Sequence, residues 1–252
     1  DATNANYIAA GEQAHEKAKR AVELASGPTG IPEQGALHLL HHDPKTLGPI
    51  LFAAHCSSCH RFDGHDGTGN VPLDTSSAPD LKGFASRAWL TDLLKPEHIT
   101  TKRYFGETAF RNGDMVRFVN KKVSQFDKEE KLALERAIKA LSAEAGLSRQ
   151  AEVEEVETDL IVLGKEDLGY ELGCSDCHAF HFEDDDADGP DLTGYGSREW
   201  MKSFISDPGQ KRFYGENNDR MPSFLTEGIL TPTEIGLLVD WLRQDWYEPL
   251  PK

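Results

Sequence analysis

Two pentapeptides decide how this chain folds: Cys56-Ser57-Ser58-Cys59-His60 and Cys174-Ser175-Asp176-Cys177-His178. Together they use all four cysteines of the 252 residues, and each pair is followed at once by a histidine. One C-x-x-C-H segment can arise by chance. Two of them that account for every cysteine indicate a shared chemical purpose.

The C-x-x-C-H spacing is typical of covalent haem attachment. Two thiols on one helical turn reach the two vinyl groups of one porphyrin, and the adjacent histidine supplies an axial iron ligand. The sequence therefore predicts two haems of the c type, one on Cys56 and Cys59 with His60, the other on Cys174 and Cys177 with His178. Two alternatives explain less: zinc knuckles would have to meet across 118 residues, and disulfides or a redox dithiol leave both histidines unexplained.

An internal repeat supports two equivalent units independently of the cysteines. The segment 79–90, PDLKGFASRAWL, aligns without gaps on 190–201, PDLTGYGSREWM, and seven of the twelve positions are identical. Further on, 104–107 (YFGE) matches 213–216 (FYGE). The two halves of the chain are therefore interpreted as a duplication.

These motifs resemble those of a dihaem c-type cytochrome with two class-I-like cytochrome c domains in tandem. The resemblance implies an all-α fold in which each domain wraps around one haem. It also implies that the carbonyl groups of Pro79 and Pro190 accept a hydrogen bond from the proximal histidines, and that Trp89 and Trp200 pack in the haem environment. Because that family receives its haem after export, a periplasmic or other extracytoplasmic location is expected.

The second axial ligand is expected to be methionine, which raises the potential of a histidine-ligated haem. Met221, in the segment DRMPSF at 219–224, resembles the Met-Pro loop of class I cytochromes c. Met115 occupies the corresponding place in the first half but lacks the following proline, so His98 stays open as an alternative. Met201 stands where the repeat has Leu90 and is therefore interpreted as a core residue.

Three regions are expected along the chain. Residues 1–34 form an N-terminal helix and linker that serve as a tether, 35–148 form the first cytochrome c domain, and 149–252 form the second, acidic one. Helices are predicted over 45–54, from Asp127 onward, over 151–172 and after Thr231. The helix that begins at Asp127 is expected to pack on the N-terminal helix of the first domain.

Charge is distributed unevenly between the halves. Residues 1–150 carry 19 basic and 19 acidic side chains, whereas 151–252 carry 8 and 24, which places the whole net charge of −16 in the second half. This acidity argues against nucleic-acid binding, and the mean hydropathy of −0.53 argues against a membrane span. The acidic run at 183–188 is interpreted as a solvated loop, with cation binding as the alternative.

The resemblance implies an electron carrier that is not an enzyme by itself. The motifs and the tether are similar to the dihaem cytochrome c portion that is fused to, or assembled with, cytochrome b in bacterial bc-type quinol oxidoreductases. A Rieske and cytochrome b complex would then be the donor, and a basic cytochrome or an oxidase the acceptor. Two alternatives remain: a dihaem enzyme (a peroxidase or small-molecule dehydrogenase) with one open-site haem, and a stand-alone shuttle without a membrane complex.

Overall fold

The computed structural model describes residues 4–182, 187–218 and 220–249, and within them it is helical without a single strand. Three isolated β-bridges, all close to the first cysteine motif, are the extended pairings among these residues. The prediction of an all-α protein is therefore confirmed for the described part. The helices are α1 (Ala5–Ala25), α2 (Ala36–His41), α3 (Pro44–His55), α4 (Arg87–Leu93), α5 (Pro96–Ile99), α6 (Asp114–Lys121), α7 (Lys128–Glu144), α8 (Ala151–Val156), α9 (Thr158–Glu166), α10 (Arg198–Ser206) and α11 (Pro232–Arg243).

The helix starts follow the local sequence. Asp127 and Thr231 each form a complete capping box with the glutamate three residues later, which satisfies free N–H groups at the starts of α7 and α11. In the repeat, the side chains of Ser86 and Ser197 cap α4 and α10 by accepting a hydrogen bond from the third helical N–H. The predicted helix starts at Asp127 and after Thr231 are confirmed.

The packing partner predicted for α7 is wrong. The helix lies along α9 of the second half, whereas α3 of the first half is crossed by α11, the last helix of the chain. A glycine allows each close approach: a Cβ on Gly164 would lie 2.0 Å from the Arg136 carbonyl oxygen, and one on Gly48 would lie 2.2 Å from Trp241 Cβ. The last helix of each half therefore packs on the α-helix that precedes the cysteine motif of the other half.

The two halves cross each other at equivalent positions of the repeat. Ala85 and Gly196 both have a positive φ, of 60° and 72°, and a Cβ on Gly196 would lie 2.2 Å from Ala85 Cβ. The carbonyl of Ala85 accepts a hydrogen bond from Ser142 in α7, and that of Gly196 accepts one from Arg243 in α11. Each crossing loop is thus held by the last helix of its own half.

The predicted helix over 151–172 is interrupted. It divides into α8, α9 and a π-helical turn at Asp167–Glu171. Gly173, in the left-handed region with φ 70°, then ends the turn just before the second cysteine motif. The sequence shows the glycine but not the break after Val156.

The N-terminal helix is present as predicted and is also docked. Arg20, which is buried, holds both carboxylate oxygens of Asp43 at 2.8 and 2.9 Å and donates to the carbonyl of Tyr247 at 2.8 Å. This contact ties α1 to the start of α3 and to the C-terminal segment. No helix in the described residues is long and apolar enough to cross a membrane.

Candidate functional site

Both cysteine motifs adopt the same backbone turn. Cys56 ends α3, and Cys174 begins a short 3₁₀ turn. In each motif the N–H of the histidine donates to the carbonyl of the first cysteine, at 2.8 Å for His60 and 3.0 Å for His178. The four cysteines are half-buried free thiols, so two thiols and one imidazole are available at each motif.

The histidine rings are held in one tautomer. His60 Nδ1 lies 2.8 Å from the Pro79 carbonyl oxygen, and His178 Nδ1 lies 2.7 Å from that of Pro190. Because a carbonyl can only accept, each ring donates from Nδ1 and keeps its Nε2 lone pair free for a metal. Burial lowers the pKa of both histidines, against the opposing effect of the proline carbonyls, and so favours the neutral ring that binds iron.

The thiols of Cys56 and Cys174 are shielded from water. Burial raises the pKa of Cys56 to about 12, with a smaller contribution from Cys59. Burial also raises the pKa of Cys174 to about 11, against the opposing ammonium group of Lys122. The residues present therefore fit a c-type haem at each motif: paired thiols beside an apolar environment, and a neutral imidazole oriented by a carbonyl.

Each repeat also holds a tryptophan against the proline loop. Trp89 Nε1 donates to the Asp80 carbonyl at 3.1 Å, and Trp200 Nε1 donates to the Asp191 carbonyl at 3.0 Å. Both indoles are buried. The structure thus places Trp89 and Trp200 beside the peptide that follows Pro79 and Pro190, and their role toward a haem stays a prediction.

An aromatic contact that the sequence did not predict joins the two repeats. Phe84 and Tyr195, at equivalent positions of the repeat, lie 5.2 Å apart between ring centroids. Phe84 also contacts Trp89 at 5.1 Å, and Tyr195 contacts Trp200 at 5.1 Å. The signal was the aromatic residue conserved between the two repeats, but neither repeat shows which residue it meets.

The candidate distal ligands lie on different local structures. Met115 lies in the first turn of α6. Met221 lies in a loop, and its carbonyl accepts a hydrogen bond from the Asn218 side chain at 2.9 Å. Both are half-buried, whereas Met201 is buried in α10, as its interpretation as a core residue requires. His98 lies on α5 with its Nδ1 3.3 Å from Asp92.

The alternatives for the cysteines receive no support from the geometry. No group of three or more histidine, cysteine or acidic side chains that could hold a metal ion occurs in the described residues. The acidic run at 183–188 lies largely outside them, since residues 183–186 are not described. The zinc and cation hypotheses therefore have no assembled site in this part of the chain.

Comparison with known proteins gives one family. The family model for cytochrome c matches residues 46–135, from α3 through the first cysteine motif and into α7. No curated protein matches the chain, and no solved structure does. Over these residues the chain is similar to cytochrome c, and this similarity implies covalently bound haem c in the matched segment.

Proposed function

We propose that the protein is a dihaem electron carrier, with a second haem site in the part of the chain beyond the family match. One observation carries this proposal: the hydrogen bond from histidine to the proline carbonyl occurs at both motifs, at 2.8 and 2.7 Å. A bound haem c supplies an iron that alternates between the ferrous and ferric states. The chain attaches each group through two cysteines, orients its histidine and provides Met115 and Met221 as distal ligands.

Haem counting tests the number of sites. Intact-mass measurement and a pyridine haemochrome assay on the mature protein should give two covalent haems per chain. The variant Cys174→Ala/Cys177→Ala should retain one. A wild-type count of one would disprove the second site and leave the first standing.

A ligand-binding experiment separates the carrier from an enzyme. With both axial positions of each iron filled by protein side chains, carbon monoxide should bind the reduced protein slowly and to much less than one equivalent. Fast binding of one equivalent to the wild type would instead identify an open-site haem. The dihaem enzyme would then replace the carrier as the proposed function.

The chain's charge supports a basic redox partner at the second motif. Residues 151–196 carry fifteen acidic side chains and a single lysine. Asp176 and Asp188 lie close enough to Cys177 to add to the effect of burial in raising its pKa. We propose that electrons arrive from a Rieske and cytochrome b complex on the extracytoplasmic side of a membrane and leave to a basic cytochrome or oxidase.

Ionic strength and charge reversal test this docking. Electron transfer to a basic soluble cytochrome c should slow steeply as salt increases, because opposite charges steer the encounter. At low salt, electron transfer from Asp188→Lys should be slower than from the wild type. Asp74→Lys, the same charge change in the exposed loop before Pro79, is the matched control and should have the smaller effect. Equal effects of the two variants would contradict docking at the second motif.

A further inference from the structure

The exchange of helices has a consequence for the distal methionines. Met115 lies between the crossing loop at Ala85 and α7, and Met221 lies between the crossing loop at Gly196 and α11. Since α7 packs on α9 and α11 packs on α3, each methionine belongs to a segment whose last helix lies on the other half. The methionine and the cysteine motif of one half therefore need not meet at one iron.

Contacts at the C-terminal end of α6 and along α7 place this segment at the second motif. Lys122, which ends α6, has its Nζ 3.6 Å from the position of a Cβ on Gly173, the residue before Cys174. Beyond Lys122, α7 packs on α9 and on the π-helical turn at Asp167–Glu171, which leads into the second motif. Met115 lies in the first turn of α6.

The loop that carries Met221 is tied to α10 and, through α10, to α11. Ser223 Oγ donates to Asp207 at 2.8 Å, and the Leu225 N–H donates to the Ser206 carbonyl at 3.2 Å, which anchors the loop at the end of α10. Helix α10 packs on α11 and is joined to it by the ion pair Arg198–Asp240 at 2.6 Å.

Helix α11 in turn lies against the first motif. The Trp241 ring is 5.4 Å from Phe52 in α3 and 4.3 Å from Phe62, two residues after His60. At the start of α11, Glu234 lies close to His55, the residue before Cys56. The hydrogen bonds from Thr231 lower the pKa of Glu234 most, and His55 lowers it further. The helices flanking Met221 therefore belong to the unit that contains Cys56 and Cys59.

The proximal side is not exchanged. His60 keeps the proline of its own half, and so does His178. The crossing falls after those prolines, at Ala85 and Gly196, where the Ala85 methyl group packs against the Gly196 main chain. Each unit consequently joins the cysteine motif and proline loop of one half to the methionine segment and last helix of the other half.

From this arrangement we infer that the axial ligands are crossed: the haem on Cys56 and Cys59 has His60 and Met221, and the haem on Cys174 and Cys177 has His178 and Met115. The inference rests on the proposed dihaem carrier with histidine and methionine ligands. Each haem site then contains residues from both halves. The first half alone would attach a haem but would lack the methionine that binds its iron.

A spectral label on one haem tests the crossing. Cys174→Ala leaves one vinyl group of the second haem unreacted, and the added conjugation moves its visible absorption band to longer wavelength. In Cys174→Ala/Met115→Ala, carbon monoxide should shift the labelled band alone. In Cys174→Ala/Met221→Ala it should shift the unlabelled band alone. The reverse pattern would overturn the crossing, whereas no gain in carbon monoxide binding in either variant would overturn methionine ligation itself.

The label has a mirror-image control in Cys56→Ala, which marks the first haem and should interchange the two outcomes. If the labelled variants do not mature, the reduced wild type gives the same answer by NMR with ¹³C-methyl methionine. The Met115 methyl, assigned by its loss in Met115→Leu, should show nuclear Overhauser contacts to the macrocycle whose thioether protons belong to Cys174 and Cys177. Contacts to the macrocycle on Cys56 and Cys59 would overturn the crossing.

Discussion

The two helix crossings occupy the same place in the duplication and are built differently. Where α11 crosses α3, Gly48 faces the Cβ of Trp241, and the contact is completed by the rings of Phe52 and Phe62. Where α7 lies along α9, Gly164 faces the main-chain carbonyl of Arg136. The first crossing is thus closed by an aromatic side chain, and the second by the backbone itself.

Ion pairs surround the second crossing. Arg136 pairs with Asp167 at 2.7 Å, Lys139 with Glu157 at 2.8 Å, and Lys165 with Glu144 at 2.8 Å. The duplicated helix packing is thus preserved in its geometry, whereas the side chains that form it differ between the two crossings. Stability at the first crossing should depend on ring volume, and stability at the second on close approach, pH and salt.

Loss of the Trp241 ring should have the largest effect. Trp241→Ala removes a buried indole that contacts two phenyl rings, and truncation of a core aromatic residue costs about 3–5 kcal/mol. Hydrogen exchange should show that α3, which is distant from Trp241 in sequence, loses protection before α9 does. Trp246→Ala, at a half-buried tryptophan of the same C-terminal region, should cost much less. Preserved protection in α3 would contradict the exchanged packing.

An added methyl group tests the second crossing. A Cβ on Gly164 would lie 2.0 Å from the Arg136 oxygen and 3.0 Å from the Ala137 nitrogen, so Gly164→Ala must separate α7 from α9, at about 2–3 kcal/mol. The free energy of unfolding from denaturant titration measures it. Gly11→Ala is the control, because nothing lies within 4 Å of its added Cβ. That change in α1 should stabilise the helix by up to about 1 kcal/mol, and the same gain at Gly164 would contradict the contact.

Much of the local structure was predictable because it depends on neighbours in sequence. The capping residues Asp127 and Thr231, the serine caps of the repeat and the boundaries of α3 all follow from patterns a few residues long. The attachment motifs and the two proline loops were also visible, since the duplication repeats them at matching positions.

The choice between helix partners was not predictable in the same way. The apolar face of α7 fits α3 and α9 equally well as a pattern, and a duplicated sequence offers two equivalent partners for every contact. What separates them is the geometry of the crossing loops at Ala85 and Gly196, whose positive φ values and mutual contact exist only in the folded chain. The family match follows the sequence from 46 to 135 and so runs across both spatial units.

The carboxylate of Glu144 should make the second crossing sensitive to acid. Burial raises its pKa, but hydrogen bonds from Lys165, His181 and the Gly194 N–H outweigh burial and hold the pKa below its usual value. A carboxyl whose pKa is lowered by folding stabilises the protein above its unfolded-state pKa. That contribution is lost as the pH falls through the lower, folded-state pKa.

Glu144→Gln should therefore destabilise the protein by about 1–3 kcal/mol at neutral pH and by progressively less under acidic conditions. Thermal unfolding of both proteins from pH 7 to pH 3 measures this convergence. Glu135→Gln on the exposed side of the same helix is the control and should change little at any pH. A constant difference between Glu144→Gln and wild type across the range would rule out the ionised carboxylate as the stabilising group.

The smallest expected difference compares one ion pair from each unit. Arg136 binds Asp167 through Nε and Nη2 at 2.7 and 3.0 Å, and Arg198 binds Asp240 in the same bidentate way at 2.6 and 2.9 Å. The side chains of the first pair are 30% and 12% exposed and those of the second 44% and 18%. Because water screens the more exposed pair, Asp167→Asn should cost more than Asp240→Asn, although both should stay near about 1 kcal/mol. Added salt should reduce both costs and narrow the gap between them. A larger cost for Asp240→Asn would contradict the expectation that the less exposed pair contributes more.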